Sequence, residues 1–507
     1  MLRIARFGTW ILVLGAMVAM TTGCGGGEQK NNDTAETVDP WEDYAPDPEV
    51  YTYEADLDAL VEVPIEGGGT RRFAGDIVVV LLEEGGERAD AERVAADLGG
   101  RIVGQIPDIG LFTIRVDVQT VAQLEAAIEQ AQQDPAVESA GEDFVSELRS
   151  DLCLSDCDNL ALPSTHRCQY HENDWFLATS IYEGLADEVA LSDVMLGIVD
   201  TGINIQNGEF DDVAVGNAQQ PKGAAATLTD SRGHGTIVAG MMVADDGDQG
   251  VNGIASRILG KKLSLAWGDS GNYNTQTVTG ARHAVNAGAK VINISIGVGF
   301  EQISKRGDPA QKAWKRLFRA HPDVLFVVAA DNTPLELEDW NDAPAGIQLD
   351  NVMTIGGTAH CNPRASFADS ARGPLIDLAA PAAEVAVVHP QNGKPVSTAS
   401  GNSLASPQVA ATAAIIKSMR PNLSPERIKW HLTVGGAMPG PVEVGGAALS
   451  VAGAIESVWT VESGTDADIL SVVDSNRDQQ YESPGLVVAR LCGAPQFRVD
   501  GVGSYSF

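Results

Sequence analysis

The spacing of apolar residues divides the first part of this chain into short strands and helices. Between residues 75 and 148, apolar runs predict strands, and apolar residues recurring every three or four positions predict helices. The predicted strands are 76–82, 101–106, 110–116 and 137–144, and the predicted helices are 89–98 and 121–132. This order, βαββαβ, predicts a small ferredoxin-like α+β domain.

A longer region follows in which the apolar runs are continuous. Such runs are typical of strands buried in a parallel sheet that helices cover on both faces. Strands are predicted at 195–200, 257–265, 290–297 and 324–330, and helices at 275–287, from His234, after Ser403 and from Ser424. The second region is therefore predicted to be an α/β domain on a mostly parallel sheet.

Three polar residues stand where this pattern would expose them to a substrate. Asp200 ends a buried strand, at the edge where α/β sheets place their sites. His234 lies between two glycines and opens an apolar helix, and Ser403 directly precedes a helical segment with Pro407 near its start. Singly, each has an ordinary alternative as a turn, loop or cap residue. Together they supply the acid, base and nucleophile that activate a serine hydroxyl.

The residues around these three positions resemble the motifs of one family. The matching segments are Val199-Asp200-Thr201-Gly202, Gly233-His234-Gly235-Thr236 and Ser400-Gly401 with Ser403, Ala405 and Pro407. In this order they resemble the subtilisin-like serine peptidases (subtilase family). The resemblance implies a subtilisin-like three-layer α/β domain and a serine endopeptidase with Asp200, His234 and Ser403 as its triad. Ile237, Asn402 and Leu404 replace the usual histidine, threonine and methionine, but none of these changes removes a reacting group.

The resemblance also assigns the surroundings of the triad. Asn332 and the backbone N–H of Ser403 would donate to the oxyanion. The backbone around Ser295-Ile296-Gly297 and around Trp267-Gly268 would line the cleft, where a peptide binds as an added strand. Asp331 stands where the family has glycine. We expect its side chain to narrow the primary specificity pocket or to favour a basic residue before the cut.

The ferredoxin-like region resembles the inhibitory propeptides that precede subtilase domains and assist their folding. Its C-terminal tail would lie in the active-site cleft and be cut between about 147 and 169. The predicted organisation is a signal peptide (1–23), an acidic flexible tether (24–74), a propeptide domain (75–148), a processing linker (149–173), a catalytic domain (174–458) and an acidic tail (459–507).

Composition limits the partners. The chain has 507 residues, of which 44% are hydrophobic and 20% charged, which is enough apolar material for globular domains with their own cores. The formal net charge of −35 makes nucleic acid an unsuitable partner. The expected partners are protein or peptide substrates and the chain's own propeptide. No cofactor is expected for catalysis.

The N-terminus predicts export. Arg3 and Arg6 precede an apolar run, 7–20, that is too short to span a bilayer. Thr22-Gly23-Cys24 resembles the end of a bacterial lipoprotein signal, which would make Cys24 a lipidated first residue attached to the cell envelope. Thr21 departs from the leucine usual at its position, so plain secretion remains a second interpretation.

Two further groups of residues leave alternatives open. The remaining cysteines are Cys153, Cys157, Cys168, Cys361 and Cys492, an odd number that favours disulfides with one thiol left over. The first three lie near His166 and His171, so a zinc site is the alternative to a disulfide loop. Asp245, Asp246 and Asp248 form either a structural Ca²⁺ site or a solvated acidic turn. The segment 474–485 departs from a calcium-binding loop at its glycine and its last acid.

Two other functions compete with the peptidase. An α/β-hydrolase would need a buried strand directly before Ser403 and the order serine, acid, histidine. Residues 394–400 are polar and the acid and base lie upstream, which argues against it. A catalytically silent, surface-tethered binding protein of the same fold is the other alternative, and the presence of all four catalytic positions argues against that.

Overall fold

The computed structural model describes residues 39–41, 43–54, 56, 59–64, 70–148, 190–220, 229–245, 251–299, 308–338, 341–390, 397–462, 499–500 and 504–505. Within these ranges, no helix has both the length and the apolarity needed to cross a membrane. The predicted signal peptide, the processing linker and most of the acidic tail lie outside the described residues.

An antiparallel sheet with two helices forms the N-terminal domain. Its elements are β3 (Ile77–Leu82), α1 (Arg88–Asp97), β4 (Arg101–Ile106), β5 (Leu111–Arg115), α2 (Val121–Gln132) and β6 (Val137–Gly141). The strand order β4-β5-β3-β6 with antiparallel pairing is that of a ferredoxin-like fold, which confirms the predicted topology. Strand β6 ends earlier than predicted, and Phe144 instead bridges Phe73.

The structure corrects the predicted tether. Strands β1 (Leu60–Pro64) and β2 (Thr70–Ala74) form an antiparallel hairpin within it. Upstream of the hairpin, Trp41, Val50 and Tyr53 are buried. The acidic, proline-containing composition of this stretch predicts a flexible segment. The apolar residues in it are buried because their partners lie on later parts of the chain.

A ten-stranded sheet in the described residues forms the centre of the second domain. Its strands are β8 (Val194–Asp200), β9 (Ala214–Asn217), β10 (Leu263–Asp269), β11 (Val291–Ile294), β13 (Leu325–Ala329), β14 (Val352–Ala359), β15 (Asn362–Ser366), β16 (Leu378–Pro381), β19 (Met438–Pro439) and β20 (Ala447–Ala448). The order is β19-β20-β16-β14-β13-β11-β8-β10-β9, and β15 pairs with β14. Only β15 and β19 are antiparallel to their neighbours, so the predicted mostly parallel α/β sheet is confirmed.

Helices cover both faces of this sheet. They are α3 (His234–Val243), α4 (Ser256–Leu259), α5 (Asn274–Asn286), α6 (Pro309–Ala320), α7 (Asn402–Met419), α8 (Pro425–Trp430) and α9 (Val451–Glu462). Strand β8 shows how the sheet separates two cores, since its successive side chains point to opposite faces. Leu196 and Ile198 join the core of α3 and α7, and Val199 joins the core of α5 and α6.

The N-terminal domain packs on the face that carries α5 and α6. Val80 and Phe112 of its sheet belong to the same buried cluster as Trp314 and Phe318 of α6. Ion pairs surround this contact: Arg282 with Asp108 at 2.8 Å and Lys312 with Glu138 at 3.1 Å. Three short two-stranded sheets complete the described structure: β7 (Glu147–Leu148) with β12 (Ile296–Gly297), β17 (Val385–Val387) with β18 (Ser397–Ala399), and β21 (Val499–Asp500) with β22 (Ser504–Tyr505).

Two predicted strands differ from the observed ones. The predicted strand 257–265 begins only at Leu263, because Ile258 and Leu259 belong to the single turn of α4. The predicted strand 290–297 is divided at Ser295 into β11 and β12. Among the cysteines, Cys361 is described and is disulfide-bonded, whereas the others lie outside the described residues.

Candidate active site

Asp200 is the last residue of β8, at the carboxyl edge of the parallel sheet. Its side chain is fully buried, and its Oδ1 accepts a hydrogen bond from the Thr201 N–H at 2.8 Å. The indole of Trp267 donates to the Asp200 backbone carbonyl at 3.1 Å. Within the described residues, the second carboxylate oxygen, Oδ2, has no hydrogen-bond partner. The Thr201 N–H therefore orients the carboxylate, and Trp267 of β10 holds the backbone that carries it.

His234 is the first residue of α3, and an acid upstream organises its turn. The carboxylate of Asp230 accepts hydrogen bonds from the N–H groups of Gly233 (2.7 Å) and Thr236 (2.8 Å) and from the Thr201 hydroxyl (2.9 Å). A carboxylate beside the first N–H groups of a helix stabilises it. The same residue therefore ties the helix carrying His234 to the turn that follows Asp200.

Gly235 lets the histidine and aspartate segments approach each other. A Cβ atom at this position would lie 2.1 Å from the Gly202 carbonyl oxygen and 3.1 Å from the Asp200 Cβ. Any larger residue would separate the helix from the turn. The glycine after the histidine is therefore required by close backbone approach.

Ser403 lies inside the first turn of α7, which begins at Asn402 and not after the serine as predicted. Pro407 is likewise inside this helix and not in its first turn. A proline there cannot donate to the carbonyl four residues earlier, which is that of Ser403. The Ser295 hydroxyl donates to this carbonyl instead, at 3.1 Å. The helix tolerates Pro407 because Ser295 satisfies the carbonyl that the proline leaves unpaired.

The three side chains lie within hydrogen-bond reach of one another. His234 Nδ1 is 2.7 Å from Asp200 Oδ1, and His234 Nε2 is 3.0 Å from Ser403 Oγ. All three residues are buried, with no exposed surface. The Ser403 hydroxyl also lies 3.1 Å from the Ser295 carbonyl, so its one hydrogen can be donated to either acceptor. This arrangement allows an imidazole held by a carboxylate to take the proton of the serine.

Asn332 is anchored at the start of α7. Its Oδ1 accepts a hydrogen bond from the Asn402 N–H at 2.9 Å, which leaves the Nδ2 group as the donor. The side chain of Asn402 in turn donates to the carbonyls of Ala330 (3.2 Å) and Asp331 (2.8 Å). Asn402 thus holds the segment that carries Asn332 at three points. The N–H of Ser403 lies in the first helical turn, where N–H groups lack partners within the helix.

The predicted cleft residues lie on two strands beside the triad. Ile296 and Gly297 form β12, and they pair antiparallel with Leu148 and Glu147 of β7. The end of the N-terminal domain therefore already occupies this strand as an added strand would.

Trp267 and Gly268 lie on β10, which pairs with β8, the strand that ends in Asp200. Trp267 lines a cavity of about 280 Å³ together with Thr201 and Asp269. Asp331 is buried, with 6% of its surface exposed.

The predicted metal and lipid sites are only partly described. The Asp245 carboxylate accepts a hydrogen bond from the Asp212 N–H at 3.3 Å, and burial raises its pKa. Asp246, Asp248 and Cys24 lie outside the described residues. In the ranges that the structure covers, no three histidine, cysteine or acidic side chains are placed to hold a metal ion.

Sequence reasoning missed three residues that shape this site. Asp230 stands four residues before the histidine and three before the N-cap residue Gly233, so the usual capping pattern does not indicate it. Asn402 stands out in the sequence only as a departure from the family's usual threonine, which indicates no role for it. Asn293, which accepts from Ser406 at 2.5 Å and donates to the Ser295 hydroxyl at 2.9 Å, belongs to a strand whose apolar pattern gave no signal.

Comparisons with known proteins agree with this geometry. Residues 192–435 match the model of the subtilase family, and residues 61–142 match that of the fervidolysin N-terminal prodomain. Subtilisin DY from Bacillus licheniformis is 32% identical over 243 residues, which cover 48% of this chain and 83% of that protein.

Solved structures share the fold, and two of them illustrate it. Fervidolysin from Fervidobacterium pennivorans, described as a keratinolytic enzyme related to subtilisin, superimposes with a TM-score of 0.57 at 18% identity over 80% of this chain. This match spans 63% of the fervidolysin chain, less than two thirds of it. The epidermin leader peptide processing serine protease of Staphylococcus aureus gives a TM-score of 0.54 at 18% identity, over 77% of this chain and 99% of its own.

Proposed function

The chain belongs to the subtilase family of serine endopeptidases, and on this basis we propose that it is an exported peptidase made as a self-processed zymogen. We assign Ser403 as the nucleophile, His234 as the general base and Asp200 as the residue that orients the histidine. The observation that supports this assignment is the buried hydrogen-bond chain from Asp200 Oδ1 through the imidazole to Ser403 Oγ, with contacts of 2.7 and 3.0 Å.

In the proposed reaction, the Ser403 oxygen attacks the carbonyl carbon of a peptide bond while its proton passes to His234 Nε2. The Nδ1–H of the imidazole donates to Asp200, whose negative charge stabilises the imidazolium that forms. The imidazolium then gives the proton to the leaving amine, and an acyl-enzyme remains. A water molecule deprotonated by His234 hydrolyses this ester and regenerates the serine.

The tetrahedral intermediate carries a negative charge on the former carbonyl oxygen. We assign Asn332 Nδ2 and the Ser403 N–H as its donors. The bond between Asn332 Oδ1 and the Asn402 N–H supports this role, because it fixes the amide oxygen as the acceptor and leaves Nδ2 to donate. Donors held in place before the reaction stabilise charge without further reorganisation. The triad chemistry requires no cofactor.

The N-terminal domain is proposed to inhibit the enzyme until the chain is cut after it and the cleaved fragment leaves. The pairing of β7 with β12 supports this, because it occupies a strand that a substrate would use. We place the cut in the linker after this pair, and we propose that the enzyme makes it itself. The proposed substrates are proteins or peptides bound as an added strand, and main-chain pairing of that kind tolerates many sequences.

Export is proposed from the first residues alone. Arg3, Arg6 and the apolar run that follows support a signal peptide, and Cys24 supports lipid attachment to the cell envelope. Mass measurement of the N-terminal fragment from the native host distinguishes a lipidated Cys24 from a plain secreted terminus. A structural Ca²⁺ ion near Asp245 is likewise proposed from the sequence.

A serine-directed fluorophosphonate probe tests the proposed function. We expect it to label the processed wild-type chain once the N-terminal fragment has been removed, and not the Ser403→Ala variant treated in the same way. We also expect the Ser403→Ala variant to remain uncut when it is purified alone, with cleavage restored by adding wild-type enzyme. Labelling of Ser403→Ala, or the absence of labelling and peptide hydrolysis in processed wild type freed of the N-terminal fragment, would contradict the assignment.

A further inference from the structure

A segment upstream of the N-terminal domain joins it to the far edge of the catalytic sheet. We call residues 39–54 the strap; residue 42 lies outside the described part. One end contacts β9 of the catalytic domain, the middle pairs with β4 of the N-terminal domain, and the last residues contact both domains. The family model of the prodomain begins at residue 61, so the strap is not part of the domain that it describes.

Trp41 fills a notch in the catalytic domain. Its indole lies against Gly216 of β9, where a Cβ atom would stand 2.1 Å from the ring, and packs with Ala218 and Ala266. The ring N–H donates to the Ala214 carbonyl at 3.2 Å, and only 5% of the residue is exposed. An aromatic ring in a closely fitting pocket with its polar atom paired is typical of a residue that dominates an interface.

Tyr44 strengthens the same contact. Its ring meets Trp41 edge to face at 5.2 Å, and its hydroxyl donates to the Ala218 carbonyl at 2.5 Å. Among the described strands, β9 is the last of the sheet, and the outer edge of such a strand leaves carbonyl groups without strand partners. The two aromatic side chains supply donors to carbonyls along this edge.

The other part of the strap is fixed to the N-terminal domain. Tyr51 exchanges two backbone hydrogen bonds with Gln105 of β4, at 3.1 and 2.8 Å. Tyr53 then reaches both domains: its hydroxyl donates to Asp143 at 2.8 Å, and its carbonyl accepts from Gln276 of α5 at 2.7 Å. The strap is therefore anchored to the N-terminal domain independently of its contact with β9.

We propose that the strap is a second anchor of the cleaved N-terminal fragment on the catalytic domain, and that it slows the release of this fragment after the cut. The inference rests on the proposed cut after β7. All strap residues precede that cut and therefore belong to the cleaved fragment. The fragment binds the catalytic domain at two places: its folded domain packs on α5 and α6, and Trp41 packs on β9. When one contact opens, the other holds its partner at high local concentration, and the fragment leaves only if both open together.

The experiment uses the full chain with an affinity tag at its C-terminus. The tagged catalytic part is captured after self-processing and diluted, and mass spectrometry follows the N-terminal fragment that remains bound. We expect wild type to retain the fragment. Trp41→Ala should raise its dissociation rate about tenfold or more, since truncating a central aromatic anchor commonly has this effect.

Gly216→Ala tests the same contact from the opposite side, because its methyl group would occupy the space of the indole ring. Its effect should resemble that of Trp41→Ala, and the double variant should release the fragment no faster than the faster single variant. Asp43→Ala is the matched control, since Asp43 is an exposed strap residue, and it should behave as wild type. The proposed role of the strap would be refuted if the fragment left wild type as fast as it leaves Trp41→Ala. It would also be refuted if the effects of the two substitutions on the dissociation rate were fully additive.

A failure of self-processing gives a different result. If the wild-type chain stays in one piece, the proposed self-processing of the zymogen is refuted. Amide hydrogen exchange then measures the contact between the strap and β9 in the uncut chain. Amides of residues 214–218 should exchange about tenfold faster or more in Trp41→Ala than in Asp43→Ala. Equal exchange in the two variants would refute the strap contact itself.

Discussion

The carbonyl of Ser403 accepts a hydrogen bond from the hydroxyl of Ser295, and Pro407 is the reason that it needs one. In an uninterrupted helix, the N–H four residues later would fill this role. Ser295 lies between β11 and β12, so the bond links the strand proposed to bind substrate to the helix that carries the proposed nucleophile. The position of Ser403 thus depends on an interaction outside its own helix.

Removing this hydroxyl should destabilise the chain. Ser295→Ala leaves the buried Ser403 carbonyl unpaired, which we expect to lower the free energy of unfolding by about 1–3 kcal/mol. Urea unfolding in a Ser403→Ala background, which keeps the carbonyl and prevents self-digestion, measures the loss. In a Pro407→Ala background the new N–H can donate to the same carbonyl, so the loss caused by Ser295→Ala should shrink. Equal losses with and without the proline would show that the two residues do not compensate each other.

Asn402 should affect catalysis through Asn332. The Asn402→Ala variant keeps the backbone N–H but loses the side-chain bonds to the carbonyls of residues 330 and 331. We expect kcat to fall by about tenfold with little change in KM, while Asn332→Ala alone should lower kcat by about a hundredfold to a thousandfold. In the Asn332→Ala background, Asn402→Ala should have almost no further effect, because the donor that it positions is absent.

Gln408→Ala provides the control for this cycle. Gln408 is another buried amide on α7, and it donates to the carbonyls of Pro381 and Leu404, away from Asn332. Its substitution is expected to act equally in the presence and absence of the Asn332 side chain. If Asn402→Ala also acts equally in both backgrounds, Asn402 stabilises the fold without positioning the donor.

The sequence predicts local features well where the determining contacts are near in the chain. The bounds of β4 and α2 match because they follow from the apolar period of the segments themselves. The triad positions stand in short motifs whose glycines reflect tight turns, such as Gly235 against Gly202.

Contacts between distant segments escape such reasoning. Trp41 was assigned to a tether because its partner, Gly216, lies far along the chain. Pro407 was placed in the first turn because the Ser295 hydroxyl that makes it tolerable in the helix belongs to another element. Asn402 is visible in the sequence only as an unusual residue, since its role follows from carbonyls in the segment after β13.

Asp331 should influence the residue preferred before the cut. It stands where the family motif has glycine, and it is buried directly before Asn332. We expect Asp331→Gly to reduce a preference for basic side chains at that substrate position, because a carboxylate attracts a cation in a partly desolvated site. Cleavage of a peptide library by both forms measures this. Asp331→Asn separates charge from size, and identical profiles for wild type and Asp331→Gly would contradict the expectation.

The contact between the N-terminal domain and α5 should weaken as pH rises through about 6. Asp143 is buried in this contact and accepts hydrogen bonds from Tyr53, from the Thr275 N–H at 3.1 Å and from the Thr275 hydroxyl. Burial raises its pKa from 3.8 to about 6, only partly offset by these donors. Burial also raises the pKa of Tyr53 well above 10 and that of Tyr273 to about 12, so neither ionises in this range.

The sign of the effect follows from the raised pKa. Asp143 binds its proton more tightly in the contact than in solvent, so its contribution is complete below about pH 4 and is lost as pH rises through about 6. The dissociation rate of the N-terminal fragment should then increase by up to about a hundredfold between pH 4 and 7, since each pKa unit corresponds to tenfold. Asp143→Asn should remove most of this dependence, and Asp97→Asn, at an exposed residue of α1, should keep it. A wild-type rate that does not change between pH 4 and 7 would show that Asp143 does not titrate in the contact.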